Sequence, residues 1–403
     1  MSFRTKQQID YWVGGVLLLL LFPLVRLLAL VLRRDHSLAR KRGCVVIKLV
    51  GAGSLFLAMP SMQAIRRGFP PGRFFLVGTR AVISLAEPFS WFDECWLIDD
   101  SNLLRLMAST TRVLYNVVRH ADHLIDLEVH SRLTTVFSLL TLVRNRIGFV
   151  DEIMFWRRGF YTHTTWFNTH GPAYAFYDLL ARWFGIEQIP VKSFHAEFRR
   201  HIEAIPPPDR LELPTPYVAI GHGCSDFAKE RQLLPDEWAR VLRPLTLMGY
   251  EFVFLGGPAD ASLANGTIAA LGRGHNLCGR LTLAQSARVI AGATKFYGID
   301  SLLLHLARSL GGEVISFWGP TDPATRLRPL ARQERIVFSR MPCAPCVHVN
   351  ESPPCRGRRD CMAHAVNAIT AGSTAAEHPT TTIDGWRMEH DAADVKSMQV
   401  TYV

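Results

Sequence analysis

The chain has 403 residues, 48% of them hydrophobic, with a formal net charge of +10 and a pI near 9.4. That length accommodates two domains with cores of their own plus appendages. The positive balance favours an anionic partner, a nucleotide phosphate or an acidic membrane surface, while the lack of a lysine/arginine stripe with interleaved aromatics argues against nucleic acid.

The first predicted element is apolar. Tyr11 to Leu32 reads YWVGGVLLLLLFPLVRLLALVL, 22 residues, long enough to cross a bilayer as a helix. No small-residue cleavage site follows, and the cationic run RRDHSLARKRG places that side in the cytoplasm. Pro23 can kink the segment and Arg26 would sit inside lipid unless it snorkels, so a kinked, re-entrant anchor is the alternative to a spanning one. The domains that follow are expected to keep their own cores when residues 1–34 are removed.

After the anchor, CVVIKLVGAGSLFLAMPSMQAIRRGFP predicts strand, glycine-rich turn and helix. RFFLVGT, ECWLIDD and DHLIDLE predict further strands with helical stretches between, and NRIGFVDE closes the region. The aromatic and basic FWRRGFYTHTTWFN is either a second membrane contact or a loop packing its rings inward. HIEAIPPPDRLELPTP, with five prolines, predicts an interdomain linker. A second alternating set runs from YVAIGHG through LPDEWARVLRPLTLMG, YEFVFLGGP, HNLCG, SARVIAGA, KFYGID and LLHLARSLGG to EVISFWGPTDP. Alternation of this kind predicts parallel sheets with helices on both faces. The expected organisation is an anchor and basic segment over 1–42, Rossmann-like domains over 43–205 and 206–340, a cysteine-rich segment over 341–365, and a disordered tail over 366–403.

Two doubly wound domains are expected to face a cleft, with ligands at the C-terminal ends of the strands. The motifs fall at those ends. In KFYGIDSLLLHLA a strand delivers Asp300, Ser301 can cap the next helix, and the helix N-terminus offers amides and a positive dipole end to a diphosphate. His305, on the first turns, can reach a phosphate or sugar.

The order of motifs resembles glycosyltransferase family 9, the lipopolysaccharide heptosyltransferases. The matching pieces are GAGSLFLAMP, FVFLGGPAD, LCGRLTLAQSARVIAGA, YGIDSLLLHLARSLGG and SFWGPTDP, spread from about Cys44 to Cys361. The resemblance implies an α/β GT-B fold, a nucleotide-diphosphate sugar bound by the C-terminal domain, an acceptor bound by the N-terminal domain, and inversion at the anomeric carbon without a metal. Its implied donor residues are Gly223, Lys229 or Arg231, Gly256, Gly257, Asp300, Ser301, His305, Gly319 and Thr321. The family's lysine precedes a Trp-Pro; here Leu234 precedes Pro235 at a longer spacing, so Lys229 and Arg231 stay open alternatives. The family's first-turn Gly-Asp, its probable base, is here Gly53-Ser54, and a neutral serine is no comparable base. The Asp-Ser/Thr-Gly of the donor site is Asp300-Ser301-Leu302. Substitute bases are Glu128 first, with Asp126 on the same strand end, His130 next and Asp99 and Asp100 behind; Glu128 paired with Arg132 is the bland alternative.

Cys44, Cys95, Cys224 and Cys278 read as small buried residues. Cys343, Cys346, Cys355 and Cys361, in CAPCVHVNESPPCRGRRDC, read as ligands of a structural zinc or an iron–sulfur cluster, with His348 and His364 as alternates. The sequence thus predicts a membrane-anchored glycosyltransferase at the cytoplasmic face of the inner membrane. It would move a sugar such as a heptose to a lipid-linked or cell-envelope glycan, with no catalytic cofactor. The rivals are a catalytically impaired scaffold of the same fold and an NAD-type oxidoreductase; GAGS and LGGP favour the latter only weakly, because no G-x-G-x-x-G with a following strand-end acid is present.

Overall fold

Short runs of β-branched and aromatic residues become buried parallel strands, and the stretches between them become the helices that cover both faces. The computed structural model describes residues 3–39, 41–208, 212–224, 226–330, 334–339, 341–347, 353–370 and 398–402. The chain divides into two units, Met1–Val191 and Lys192–Val403.

In the first unit the strands are β1 (Cys44–Lys48), β2 (Phe74–Gly78), β3 (Glu94–Leu97), β4 (His123–Asp126), β5 (Asn145–Val150) and β6 (His163–Trp166). They form one parallel sheet in the order β3-β2-β1-β4-β5-β6. The helices are α1 (Phe3–Leu32), α2 (Ala52–Arg66), α3 (Arg80–Ala86), α4 (Leu103–His120), α5 (Arg132–Leu140) and α6 (Ala173–Trp183). Every residue of β1 is buried, as a central strand covered on both faces requires. Val45, Ile47, Phe75, Val77 and Leu124 pack with Val113 and Val117 of α4 on one face.

The second unit holds β7 (Tyr217–Gly221), β8 (Glu251–Leu255), β9 (His275–Asn276), β10 (Lys295–Ile299), β11 (Glu313–Trp318), β12 (Glu334–Phe338) and β13 (Met398–Tyr402). Their order is β13-β12-β11-β10-β7-β8-β9, again all parallel. Its helices are α7 (Val191–Ala204), α8 (Pro235–Leu247), α9 (Ala261–Leu271), α10 (Leu283–Gly292), α11 (Leu302–Leu310), α12 (Pro323–Arg326) and α13 (Asp360–Thr370). The division after Val191 gives α7 to the second unit, although it precedes the proline-rich stretch that reads as a linker. Met398–Tyr402 pairs with β12 where the sequence suggests a disordered tail, because MQVTY has the residues of an edge strand; the rest of that tail from 371 to 397 lies outside the described residues.

α1 does not stand clear of its unit. The Asp10 carboxylate accepts hydrogen bonds from Ser131 Oγ at 2.6 Å, Arg132 N at 2.9 Å and Leu133 N at 3.0 Å, so it caps the N-terminus of α5 from another helix. Leu18 is buried against Val136, Leu139, Phe160 and Tyr161, with Leu21 and Val25 alongside. Beyond the helix end, Arg34 Nη1 donates to the Leu142 carbonyl at 2.7 Å. The remaining circumference is apolar and exposed, including Trp12, Leu19, Leu20, Leu27, Leu30 and Val31.

Candidate active site

Each sheet changes direction once, and the motifs sit at the change. In the second sheet the chain runs outward from β7 to β9, returns to the other side of β7 as β10, and continues to β13. The C-terminal ends of β7 and β10 therefore flank the switch point where open α/β sheets hold ligands. β10 delivers Asp300 there, Ser301 opens α11, and His222 and Gly223 follow β7.

Asp300 is buried. Arg231 Nη1 donates to its backbone carbonyl at 2.9 Å and lies 3.3 Å from its Oδ2. Burial alone would raise this carboxyl; Arg231, then His305 and Arg326, outweigh it and hold Asp300 below the usual carboxylate range. This separates the two cations that the sequence leaves open, since Arg231 is buried against Asp300 whereas Lys229 is exposed. Ser301 is the N-cap residue of α11, but its side chain makes no capping bond. Its Oγ is buried and has no hydrogen-bond partner. A buried hydroxyl in that state is costly and calls for a ligand or a water. His305 is also buried, and burial brings its pKa down to about 4, so at neutral pH it is an uncharged imidazole. Thr321, after β11, is buried near the same strand ends.

The glycines of the motifs divide by what presses on them. A Cβ on Gly223 would lie 2.2–2.3 Å from the Asp260 carboxyl atoms, and one on Gly256 would lie 2.6 Å from Asp260 Oδ2. Gly257 N donates to that same oxygen at 2.8 Å, and His222 Nε2 lies 3.0 Å from the Asp260 carbonyl. Asp260 and His222 are thus the organising residues of this corner, and the sequence reading passed over both. The signal was present in GHG and GGPAD as polar residues beside glycines at strand ends. Gly319 has a different reason. A Cβ there would meet Cys361 Sγ at 2.7 Å, so this glycine admits α13 rather than a ligand.

The first sheet repeats the layout. Its switch point lies between β1 and β4, and Glu128, just past β4, reaches across it. Glu128 Oε1 accepts from Leu49 N at 2.7 Å and Val50 N at 2.8 Å, and Lys48 Nζ lies 3.2 Å away. Its ion-pair partner is therefore Lys48, not Arg132. The turn after β1 begins with Gly51 at φ 84, a left-handed conformation that favours glycine. Ser54 Oγ donates back to the Gly51 carbonyl at 2.7 Å.

Asp126 is fully buried and committed elsewhere. Arg157 Nη2 binds it at 2.7 Å, both side chains without exposure, and Tyr161 donates its hydroxyl to it. A carboxylate sealed under its own guanidinium is structural, which corrects its assignment as a base. The same arginine and tyrosine show that half of FWRRGFYTHTTWFN turns inward, while Phe155 and Arg158 are exposed and the end of the stretch forms β6. Asp99 accepts from Ser101 N at 3.1 Å just past the end of the edge strand β3, away from the switch point, and Asp100 is its neighbour there.

The cysteines do not assemble a ligand set: among the described residues no group of three or more His, Cys, Asp or Glu side chains is placed to hold a metal ion. Cys343 is exposed, Cys346 is buried with Ala228 and Val347, and Cys361, on the first turn of α13, is buried in the core. Burial raises the thiols of Cys346 and Cys361, and the neighbouring cysteines add to it. His364 Nδ1 lies 3.1 Å from Ser339 Oγ, and His348 lies outside the described residues.

With this geometry in place, comparison with known proteins shows what the middle of the chain is similar to. Residues 176–355 match glycosyltransferase family 9 (heptosyltransferase). Over that stretch the chain is similar to family 9 proteins. Lipopolysaccharide heptosyltransferase 1 of Pseudomonas aeruginosa is 30% identical over 133 residues, 33% of this chain and 36% of that protein. Lipopolysaccharide heptosyltransferase 2 of Escherichia coli K12 is 29% identical over 132 residues, 32% and 37% of the two chains. The match thus spans about a third of the length of these relatives. In fold, a glycosyltransferase family 9 structure from Veillonella parvula aligns with TM-score 0.61 at 17% identity, covering 75% of this chain and 87% of that one. The E. coli ADP-heptose heptosyltransferase II aligns with TM-score 0.58 at 14% identity, covering 82% and 98%. The two parallel sheets with their helices are therefore of the GT-B type.

Proposed function

We propose that this protein transfers a sugar from a nucleotide-diphosphate sugar, of the ADP-heptose class, to a glycan acceptor. The observation that carries the reading is the buried, unpartnered hydroxyl of Ser301 at the N-terminus of α11, within the stretch that matches the family. In the proposed complex the hydroxyl and the first-turn amides of α11 donate to the diphosphate, and the helix dipole meets the charge that grows on it as the sugar leaves. Asp300 alone would repel a diphosphate. Arg231 neutralises it and leaves it able to orient a ribose. Neutral His305 contributes hydrogen bonding rather than charge. Gly256, Gly257 and Asp260 are proposed to shape the nucleoside end. The cysteine segment enters as structure, and no chemical step runs through it.

We further propose that the acceptor is lipid-linked and that the protein works at the cytoplasmic face of the inner membrane. The support is α1: one stripe packs on the first unit, the remainder is exposed and apolar, and Arg33, Arg34 and Arg158 are exposed nearby in sequence or packing. An apolar helix flanked by cations suits an anionic membrane surface in a flat, interfacial pose. A second reading, the catalytically impaired scaffold, draws on Ser54, whose hydroxyl is spent on the Gly51 carbonyl.

The test is ADP release from ADP-heptose with heptose-free lipopolysaccharide as acceptor probe. Acceptor-dependent release is expected. ADP binding without any release would select the scaffold reading.

A further inference from the structure

We infer that α4 is a second membrane-contact helix, so that the first unit rests on an anionic phospholipid bilayer through α1 and α4 together. This rests on the membrane reading of α1 above and adds a surface which that reading does not use. A helix laid on a sheet normally turns its apolar side inward and its polar side to water. α4 does the first and not the second. Val113 and Val117 are buried against the sheet, 2% and 0% exposed, while Leu104 is 81%, Met107 61%, Tyr115 61% and Val118 50% exposed. At 3.6 residues per turn these four fall on one outward stripe, with Ala108 and Thr111 between them, along roughly 20 Å of helix. A contiguous apolar surface of this kind marks a binding face.

The charge beside the stripe names the partner. Arg105, Arg112 and Arg119 recur at every seventh residue, so they form one exposed row along the edge of the stripe. α4 itself carries no acidic residue, and Asp99, just before it, lies 3.9 Å from Arg105. Arg119 Nη1 donates to the Tyr115 hydroxyl at 2.9 Å, which ties the row to the stripe. Apolar side chains that enter the acyl boundary, beside long cations that reach the phosphates, are the pattern of an interfacial helix. A second copy of α4 would bring more arginines to the contact and no carboxylate to meet them.

The two helices lie on one side of the first sheet. Val113 and Val117 of α4 share a core cluster with Phe137 of α5, and α1 packs on Val136 and Leu139 of α5. α4 joins β3 to β4 and α5 joins β4 to β5, two steps in the same direction across the sheet, so right-handed crossovers put both on the same face. Leu140 and Leu142, at the end of α5, are exposed beside Arg34, which bonds the Leu142 carbonyl. The basic segment after α1 then reaches α4, where Arg42 Nη2 donates to the Arg119 carbonyl. The exposed cations Arg33, Arg34, Arg42 and Arg119 therefore link the C-terminal ends of α1 and α4. Cations of this kind add to the attraction of an anionic leaflet.

The experiment places the full chain on vesicles of phosphatidylcholine and phosphatidylglycerol that carry a photoactivatable phosphatidylglycerol, and maps lipid adducts by peptide mass spectrometry after illumination. Adducts are expected within residues 103–119 as well as within α1. With Arg105→Gln, Arg112→Gln and Arg119→Gln combined, adducts on α4 are expected to fall on the order of tenfold or more. Those on α1 are expected to remain, and the melting temperature to stay near wild type, because the three side chains are exposed. Adducts on α1 with none on 103–119 would overturn the inference and leave the membrane reading standing. Adducts on neither helix would sink both. Undiminished α4 labelling in the triple variant would remove the anionic-lipid assignment. A mass of two chains in detergent, falling to one in Leu104→Ser/Met107→Ser, with no lipid adduct on α4, would give the stripe to a second copy instead.

Discussion

His305 shows what burial does to a residue that the sequence marks only as polar. Burial, with Arg308, Arg326 and Arg231 adding to it against the pull of Asp300, brings its pKa to about 4, whereas an unfolded chain titrates histidine near 6.5. Between those values the unfolded chain binds the proton and the folded one does not. The stability contribution is therefore full above pH ~6.5 and is lost as pH falls towards 4, at up to about 1.4 kcal/mol per pH unit. Denaturant midpoints at pH 7, 5.5 and 4.5 are expected to fall more steeply for wild type than for His305→Gln. Parallel curves would show that the imidazole is not buried neutral. Asp300, held low by its neighbours, titrates below that window and does not confuse the comparison. Asp300, Ser301 and His305 were legible because they interrupt an apolar strand–helix pattern. The partnership of Arg231 with Asp300 was not, since it closes over 69 residues of sequence and no local pattern records it. For the same reason the sequence shows Asp126 only as a strand-end acid, whereas Arg157, 31 residues later, covers it.

At the scale of elements, α1 departs most from its sequence reading. Composition shows that it is long and apolar enough to cross a membrane; it does not show Asp10 capping α5. That carboxylate satisfies two backbone amides and one hydroxyl at a helix N-terminus, and losing such a cap costs typically about 1–2 kcal/mol. Asp10→Ala in detergent is expected to lower the melting temperature by several degrees, with Asp10→Asn closer to wild type. An unchanged melting temperature for Asp10→Ala would mean that α1 is dispensable to the first unit. Removing residues 1–34 would take away the same cap and also uncover Val136, Leu139, Phe160 and Tyr161. The expectation that both domains stand without them is therefore revised. Three strands are not legible in the sequence, β6, β12 and β13; β6 and β13 are four and five residues at sheet edges, where only one neighbour shapes the pattern.

At the scale of the whole molecule, two successive strand–helix alternations gave two parallel sheets, and each sheet reverses at a point where its polar motifs collect. That much was readable, because strand order in doubly wound sheets follows from few-residue turns and right-handed crossovers. Which polar residue does what at those points required the packing. The central claim is that the opening of α11 binds a nucleotide diphosphate, and Ser301 tests it most directly. Its hydroxyl is buried without a partner, and it makes no capping bond that a substitution could break. Calorimetric titration of ADP into wild type and Ser301→Ala, with a melting curve of each, separates binding from stability. Losing a hydrogen bond to a charged group typically costs roughly 1.5–3 kcal/mol, on the order of tenfold or more in affinity. The prediction is weaker ADP binding by that factor with a melting temperature equal to or above wild type; unchanged ADP affinity in Ser301→Ala would contradict the assignment of the site.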